Sequence, residues 1–227
     1  METNMDYFFL DTETTGVGKD DKICEIAFSQ VDEHLNVLYS TRSLVNPERP
    51  ISHGAGAVNG LTDAMVADAP TIEEFMAGEG QVLLGDDVVI VAHNAAFDMK
   101  YLAPHLTEGT QSLCTLKAAK IIYPDADNHK LVTLAYMLGI LGERGQAHSA
   151  SGDVAQLIEV VRCMMRDGQH SLEELLHVQN IPVVITKMAF GKHKGVKLCD
   201  LPKQYVTWLL TKCDNLNSDL RVSLLAL

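Results

Sequence analysis

The sequence predicts an α/β protein, a mixed sheet flanked by helices with a small basic C-terminal module. Three observations predict it. Apolar, β-rich runs come first, joined by short polar links as in a meander. Runs with helical spacing then alternate with a continuous β-branched run, which sets helices against a sheet. The charge balance reverses near Ile181-Pro182, which predicts a domain over residues 1–180 and a module over 186–227.

The elements follow in order. Tyr7-Phe8-Phe9-Leu10 reads as a buried strand with a polar exit that ends at Gly16. After a polar turn over 16–22, residues 23–28 and 37–41 read as strands joined by 32–36. Asn46-Pro47-Glu48-Arg49-Pro50 breaks the pattern, and short helices are expected over 52–58 and 62–67. Thr71-Ile72-Glu73-Glu74 has capping-box spacing and predicts one longer helix up to residue 84. Val88-Val89-Ile90-Val91-Ala92 is unbroken and β-branched, so it is a central buried strand. A helix starts within His93-Asn94-Ala95-Ala96-Phe97-Asp98. Residues 116–123 and 131–138 are helical, the second closed by Gly139. Val154, Leu157, Ile158, Val161 and Met165 lie at helical spacing and predict an amphipathic helix over 149–165. Ser171-Leu172-Glu173-Glu174 opens another.

The net charge of −12 argues against a polyanionic partner until its distribution is seen. Residues 186–227 carry seven Lys/Arg against three Asp/Glu, leaving 11 bases and 27 acids for the rest. An acidic body suits a metal-dependent site and a basic tail suits a polyanion, although solvation of two polar faces explains the same numbers. Five widely spaced cysteines without a CxxC exclude a disulfide framework and a zinc site, and imply a reduced, cytoplasmic chain. The acidic first six residues are not a signal peptide, and no apolar run approaches the roughly 20 residues of a membrane span.

Asp11 and Glu13, in Asp11-Thr12-Glu13-Thr14-Thr15-Gly16, carry the first chemical signal. Two residues apart on a strand, they share a face, with Cα atoms about 6–7 Å apart. Two acids on one face at the end of a buried strand repel. A divalent metal or an Arg/Lys partner resolves that, and these residues alone leave both open.

Asp11-x-Glu13, His93-Asn94-x-x-Phe97-Asp98 and His148-x-Ala150-x-x-Asp153 occur in this order. Together they resemble the three motifs of the DEDDh, DnaQ-like 3′→5′ exonucleases, over roughly residues 5–165. Cys114-Thr115-Leu116-Lys117 and Lys130-Leu131-x-x-Leu134-Ala135 also look like that family's connecting segments. A tail with Phe190-Gly191-Lys192-His193-Lys194-Gly195 and Tyr205-x-x-Trp208-Leu209 resembles one deoxyribonuclease branch of the family.

The resemblance implies an RNase H-like fold and a 3′→5′ exodeoxyribonuclease that releases nucleoside 5′-monophosphates. It implies Asp11, Glu13, Asp98 and Asp153 as ligands for two Mg²⁺ or Mn²⁺ ions, as hard oxygen donors without thiolate would select. His148 is then the general base. Thr14, Thr15 and Gly16 are expected beside the terminal sugar, with backbone amides towards the 3′-hydroxyl, and Val58, Asn94 and Phe97 along the terminal nucleotide. For Val58 and Phe97, plain core packing is the alternative. Asn59 stands where the family commonly has His, and can still hydrogen-bond a sugar or base. Lys192 and Lys194 are expected to touch DNA, and Tyr205 or Trp208 suits base stacking. The alternative is that both form the module's own small core, near a helix over 202–210, and for Trp208 that is the favoured reading. DNA is the expected partner, no membrane is, and a homodimer stays open. Two rivals remain: an RNA exonuclease resembling ribonuclease T or oligoribonuclease, and a non-catalytic partner of a polymerase or clamp.

Overall fold

In the computed structural model, residues 5–141, 150–213 and 216–227 are described. They form two compact units, one ending at Val178 and one running from Gln179 to Leu227.

The first unit is built on five strands: β1 (Asp6–Thr14), β2 (Ile23–Val31), β3 (Val37–Leu44), β4 (Val88–Ala92) and β5 (Gln111–Cys114). Their order is β3-β2-β1-β4-β5, with β1 in the middle. β1 to β3 form an antiparallel meander, and β4 and β5 add in parallel to β1, so the sheet is mixed, as expected. β1 runs longer than its apolar stretch. Asp11 pairs with Ala27 and Glu13 with Glu25, so both acids lie within the ladder rather than beyond it.

Alternation along β1 sorts the core. Tyr7 and Phe9 join one buried cluster with residues of α5 (Thr115–Ile122), α6 (Leu131–Met137), α7 (Ala150–Gly168) and α8 (Leu172–Val178). Phe8 and Leu10 join the other, with Phe75, Met76, Tyr101 and Leu102. The earlier helices are α1 (His53–Asn59), α2 (Asp63–Val66), α3 (Ile72–Ala77) and α4 (Ala96–Leu102). Asp11 and Glu13 continue the parity of Tyr7 and Phe9, so they project towards the layer that holds α7.

One expectation needs correction, and one strand was not foreseen. The helix predicted from residue 71 to 84 stops at Gly78, and a 3₁₀ segment, Glu79–Leu83, follows. The capping box of Thr71 and Glu74 forms, but two glycines within three residues weaken propagation. Gly80 also packs where a Cβ would meet Met76 Sδ at 2.7 Å. β5 carried no strand signal, because Gln-Ser-Leu-Cys is short and half polar. Pairing with β4 makes it a strand.

The second unit has its own core of Met188, Leu198, Leu201, Leu209, Leu220 and Leu224. It holds α9 (Lys203–Lys212) and α10 (Ser218–Leu225), the latter capped by Asn217. Trp208 does not belong to that core: it is 49% exposed, against the expectation of a core tryptophan. Leucines of α9 and α10 fill the interior instead. No helix among the described residues is long and apolar enough to cross a membrane.

Candidate active site

The site forms where the sheet's central strand meets the start of α7. Asp11 and Glu13 come from β1 and Asp153 from the first turn of α7. Each offers a carboxylate oxygen, and these oxygens lie within 4.8 Å of one another. Asp98, from the first turn of α4, is 3% exposed. Its Oδ1 accepts from the Thr12 amide at 3.1 Å and from Thr12 Oγ1 at 2.8 Å, which fixes it against the same strand.

Electrostatics marks this cluster. Burial, then the charges of Asp98, Asp153, Glu13 and Glu25, pushes Asp11 well above the ordinary carboxylate range. Burial with Asp153, Glu25 and Asp98 raises Glu13 to about 7, while a hydrogen bond with Asn59 pulls it back. Burial pushes Asp98 up to about 6, against its bonds to Thr12. Arg42, beside the cluster, is committed to Glu25. Oxygens around a Mg²⁺ or Mn²⁺ ion at about 2.1 Å stand about 3–4 Å apart, so slight closing of this set fits a hard divalent cation. A cation would also relieve the repulsion that drives these protons on.

Glu25 is a residue the sequence reading missed. It is 1% exposed and lies opposite Glu13. Oε1 binds Arg42 Nε of β3, and Oε2 accepts from the Ala150 amide at 3.2 Å. One buried carboxylate thus ties β2 and β3 to the start of the helix that carries Asp153. The available signal was a lone acid inside the apolar run Ile23-Cys24-Glu25-Ile26. Burial and the charges of Glu13 and Glu25 push the adjacent Cys24 thiol up to about 12, so it stays protonated.

The expected substrate-side residues divide. Thr14 and Thr15 are buried beside the carboxylates, but the Thr15 amide is spent on Lys22 O at 2.9 Å and its hydroxyl on Asp21 at 2.8 Å. An amide of Thr15 directed at a 3′-hydroxyl is therefore corrected. Gly16 approaches Asp21 so closely that a Cβ would meet its carboxylate at 2.4 Å. Lys100 and Tyr101 of α4 brace the following loop through the Gly18 carbonyl, at 2.6 and 2.9 Å. Val58 is 60% exposed, so it is not core. Asn59 is buried at the end of α1; it caps the Leu61 amide and reaches Thr14 O and Glu13. Its amide serves the end of β1, a use the sequence did not suggest. Asn94 is exposed with φ +73°, and Phe97 packs edge-on against Tyr101. His93 of the second motif is structural: its ring nitrogens meet Thr115 Oγ1 and His129 O. His148 lies outside the described residues. Lys192 and Lys194 are exposed on the second unit.

A family model described as Exonuclease matches residues 8–161. A second, whose description names a quorum-sensing-regulated virulence factor, matches residues 173–213. Exodeoxyribonuclease 10 of Escherichia coli (strain K12) is 29% identical over 220 residues, 95% of each chain. DNA polymerase III subunit epsilon of Haemophilus influenzae is 32% identical over 179 residues, 72% of this chain and 68% of its own. Among solved structures, Exonuclease X in complex with 5′ overhanging duplex DNA aligns with a TM-score of 0.64 at 28% identity, covering 77% of this chain and 99% of that one.

Proposed function

Because this chain belongs to the exonuclease family, we propose that it is a 3′→5′ exodeoxyribonuclease that removes nucleoside 5′-monophosphates from DNA 3′ ends. The observation that carries this is the convergence of Asp11, Glu13 and Asp153 within 4.8 Å beside buried Asp98. Likeness to an exodeoxyribonuclease over 95% of both chains supports DNA as the substrate.

Asp11, Glu13, Asp98 and Asp153 would hold two Mg²⁺ or Mn²⁺ ions. Bound there, the ions supply charge stabilisation for the attacking and leaving oxygens of an in-line displacement. The chain does the rest. His148 takes the proton from the attacking water, a role that needs a group titrating near neutrality. Glu25 positions Asp153 through the Ala150 amide. Thr14 and Gly16 shape the floor for the terminal sugar, with Thr15 holding their loop through Asp21. Val58, Asn94 and Phe97 border the terminal nucleotide. Asn59 acts on it indirectly, by holding Glu13 and Thr14.

The test compares product release from 3′- and 5′-labelled oligonucleotides with Mg²⁺, in DNA and RNA versions, for the native chain and Asp11→Asn. Mononucleotides released from the 3′ end of DNA, and abolished in Asp11→Asn without loss of folding, are expected. Release from the 5′ end, or Asp11→Asn retaining most of the rate, overturns the proposal. Preferred cleavage of RNA transfers the same chemistry to an RNA exonuclease.

A further inference from the structure

We infer that the second unit carries a base-stacking cleft for an unpaired nucleobase of single-stranded DNA, with Trp208 and Tyr205 as its platform. Tyr205 and Trp208 lie three residues apart on α9, so they share a helix face. Their rings stack at 5.7 Å with planes 18° apart. His193 lies 4.5 Å from the Tyr205 ring, and Lys192 Nζ stands 5.3 Å over its centre. Lys192, His193, Pro202, Gln204, Tyr205 and Trp208 line a cleft of about 560 Å³.

The loop that closes the cleft is tightly built. Gly191 and Gly195 have φ of +69° and +85°, conformations that favour glycine. A Cβ at Gly191 would meet Tyr205 Oη at 3.1 Å. Met188 and Gly195 bond across the loop, from the Gly195 amide to the Met188 carbonyl at 2.7 Å. This holds the short turn Gly191–His193 beside the aromatic pair.

Chemistry selects the occupant. An aromatic platform takes a flat π-face, and Gln204 offers an amide for its polar edge. Lysines beside the platform suit the phosphates that flank a base, in a stretch of seven bases against three acids. A proline-rich peptide also suits aromatic grooves but gives that cation excess nothing to neutralise. The core leucines leave the tryptophan out, so its half-exposed ring is available to a ligand. The choice of DNA rests on the proposed nuclease reading; the stacking does not.

Trp208 is the chain's single tryptophan, so its fluorescence reports this cleft alone. The experiment titrates the full chain, in chelator so that nothing is cleaved, with a short oligodeoxythymidylate. A second arm uses an abasic strand of equal length, and a third a polyglutamate. We expect quenching by the oligothymidylate only. Trp208→Ala should weaken binding of a labelled oligonucleotide by about 5- to 150-fold, and Trp208→Phe should recover most of that loss. Equal quenching by the abasic strand or polyglutamate, no quenching at all, or full affinity in Trp208→Ala overturns the inference. DNA hydrolysis with a silent Trp208 sinks this inference and leaves the nuclease reading standing. Quenching without Mg²⁺-dependent hydrolysis does the reverse.

Discussion

Single carboxyl groups set the pH behaviour of the metal-free chain. Glu13, raised to about 7, and Asp98, raised to about 6, bind protons more tightly folded than unfolded, as does Asp11. The stability this gives is complete below about pH 4 and is lost as pH rises through 6 to 7. We predict that the metal-free chain melts about 5 °C lower at pH 8 than at pH 5, and that Mg²⁺ restores more at pH 8. A thermal melt at both pH values, with and without Mg²⁺, checks this; a midpoint that rises from pH 5 to 8 in chelator refutes the account of the cluster. Glu25 gives a second prediction. Glu25→Gln should raise the Mg²⁺ needed for half-maximal activity by about 10-fold, the usual scale for groups that orient ligands. Its cost in stability should be only about 1–2 kcal/mol, since half-exposed Arg42 can rehydrate. A Mg²⁺ titration beside a denaturant melt separates the two effects. The clustered carboxylates were legible because each sits in a spaced motif. Glu25 and Asn59 were not, because what they hold is brought near by pairing and packing: the start of α7 for one, the end of β1 for the other.

At the scale of elements, β1, α4 and α7 form the working frame. α4 carries Asp98 and also braces the loop after β1 through Lys100 and Tyr101. Gly16→Ala would push a methyl into Asp21 and break its bonds to Thr15 and Gly18. We predict a fall in kcat/KM of about 10-fold or more with a melting shift of only a few degrees, since the loop is exposed while the chemistry demands close placement. Gly80→Ala makes the contrasting case. Its methyl would strike Phe75 and Met76 in the core, so stability should fall by about 1–3 kcal/mol while the native fraction keeps its kcat. Kinetics and melts on the two variants test the pair. The long strands and α7 were legible from periodicity over many residues. β5 and the break at Gly78 were not: a four-residue strand is decided by its neighbour, and a helix end by local packing.

At the scale of the whole chain, the charge reversal in the sequence coincides with two separately cored units. Removing residues 179–227 should leave turnover on a short oligonucleotide nearly intact. Affinity for longer DNA should fall, and the slope of log K against log salt should shrink by about 0.7 for each phosphate that the shortened chain leaves unneutralised. Equal losses in turnover and affinity would make the second unit a structural brace. The division was legible because charge is a bulk property of sequence, whereas the stacked Tyr205 and Trp208 depend on which of α9's faces its leucines bury. The alternation along β1 carries one more consequence. Odd positions meet one layer and even positions the other, so sliding or lengthening the strand by a single residue ahead of Asp11 turns both carboxylates away from α7. Misregistered molecules would lose two of the four clustered carboxylates at a stroke. Specific activity therefore reports the fraction of correctly threaded chains.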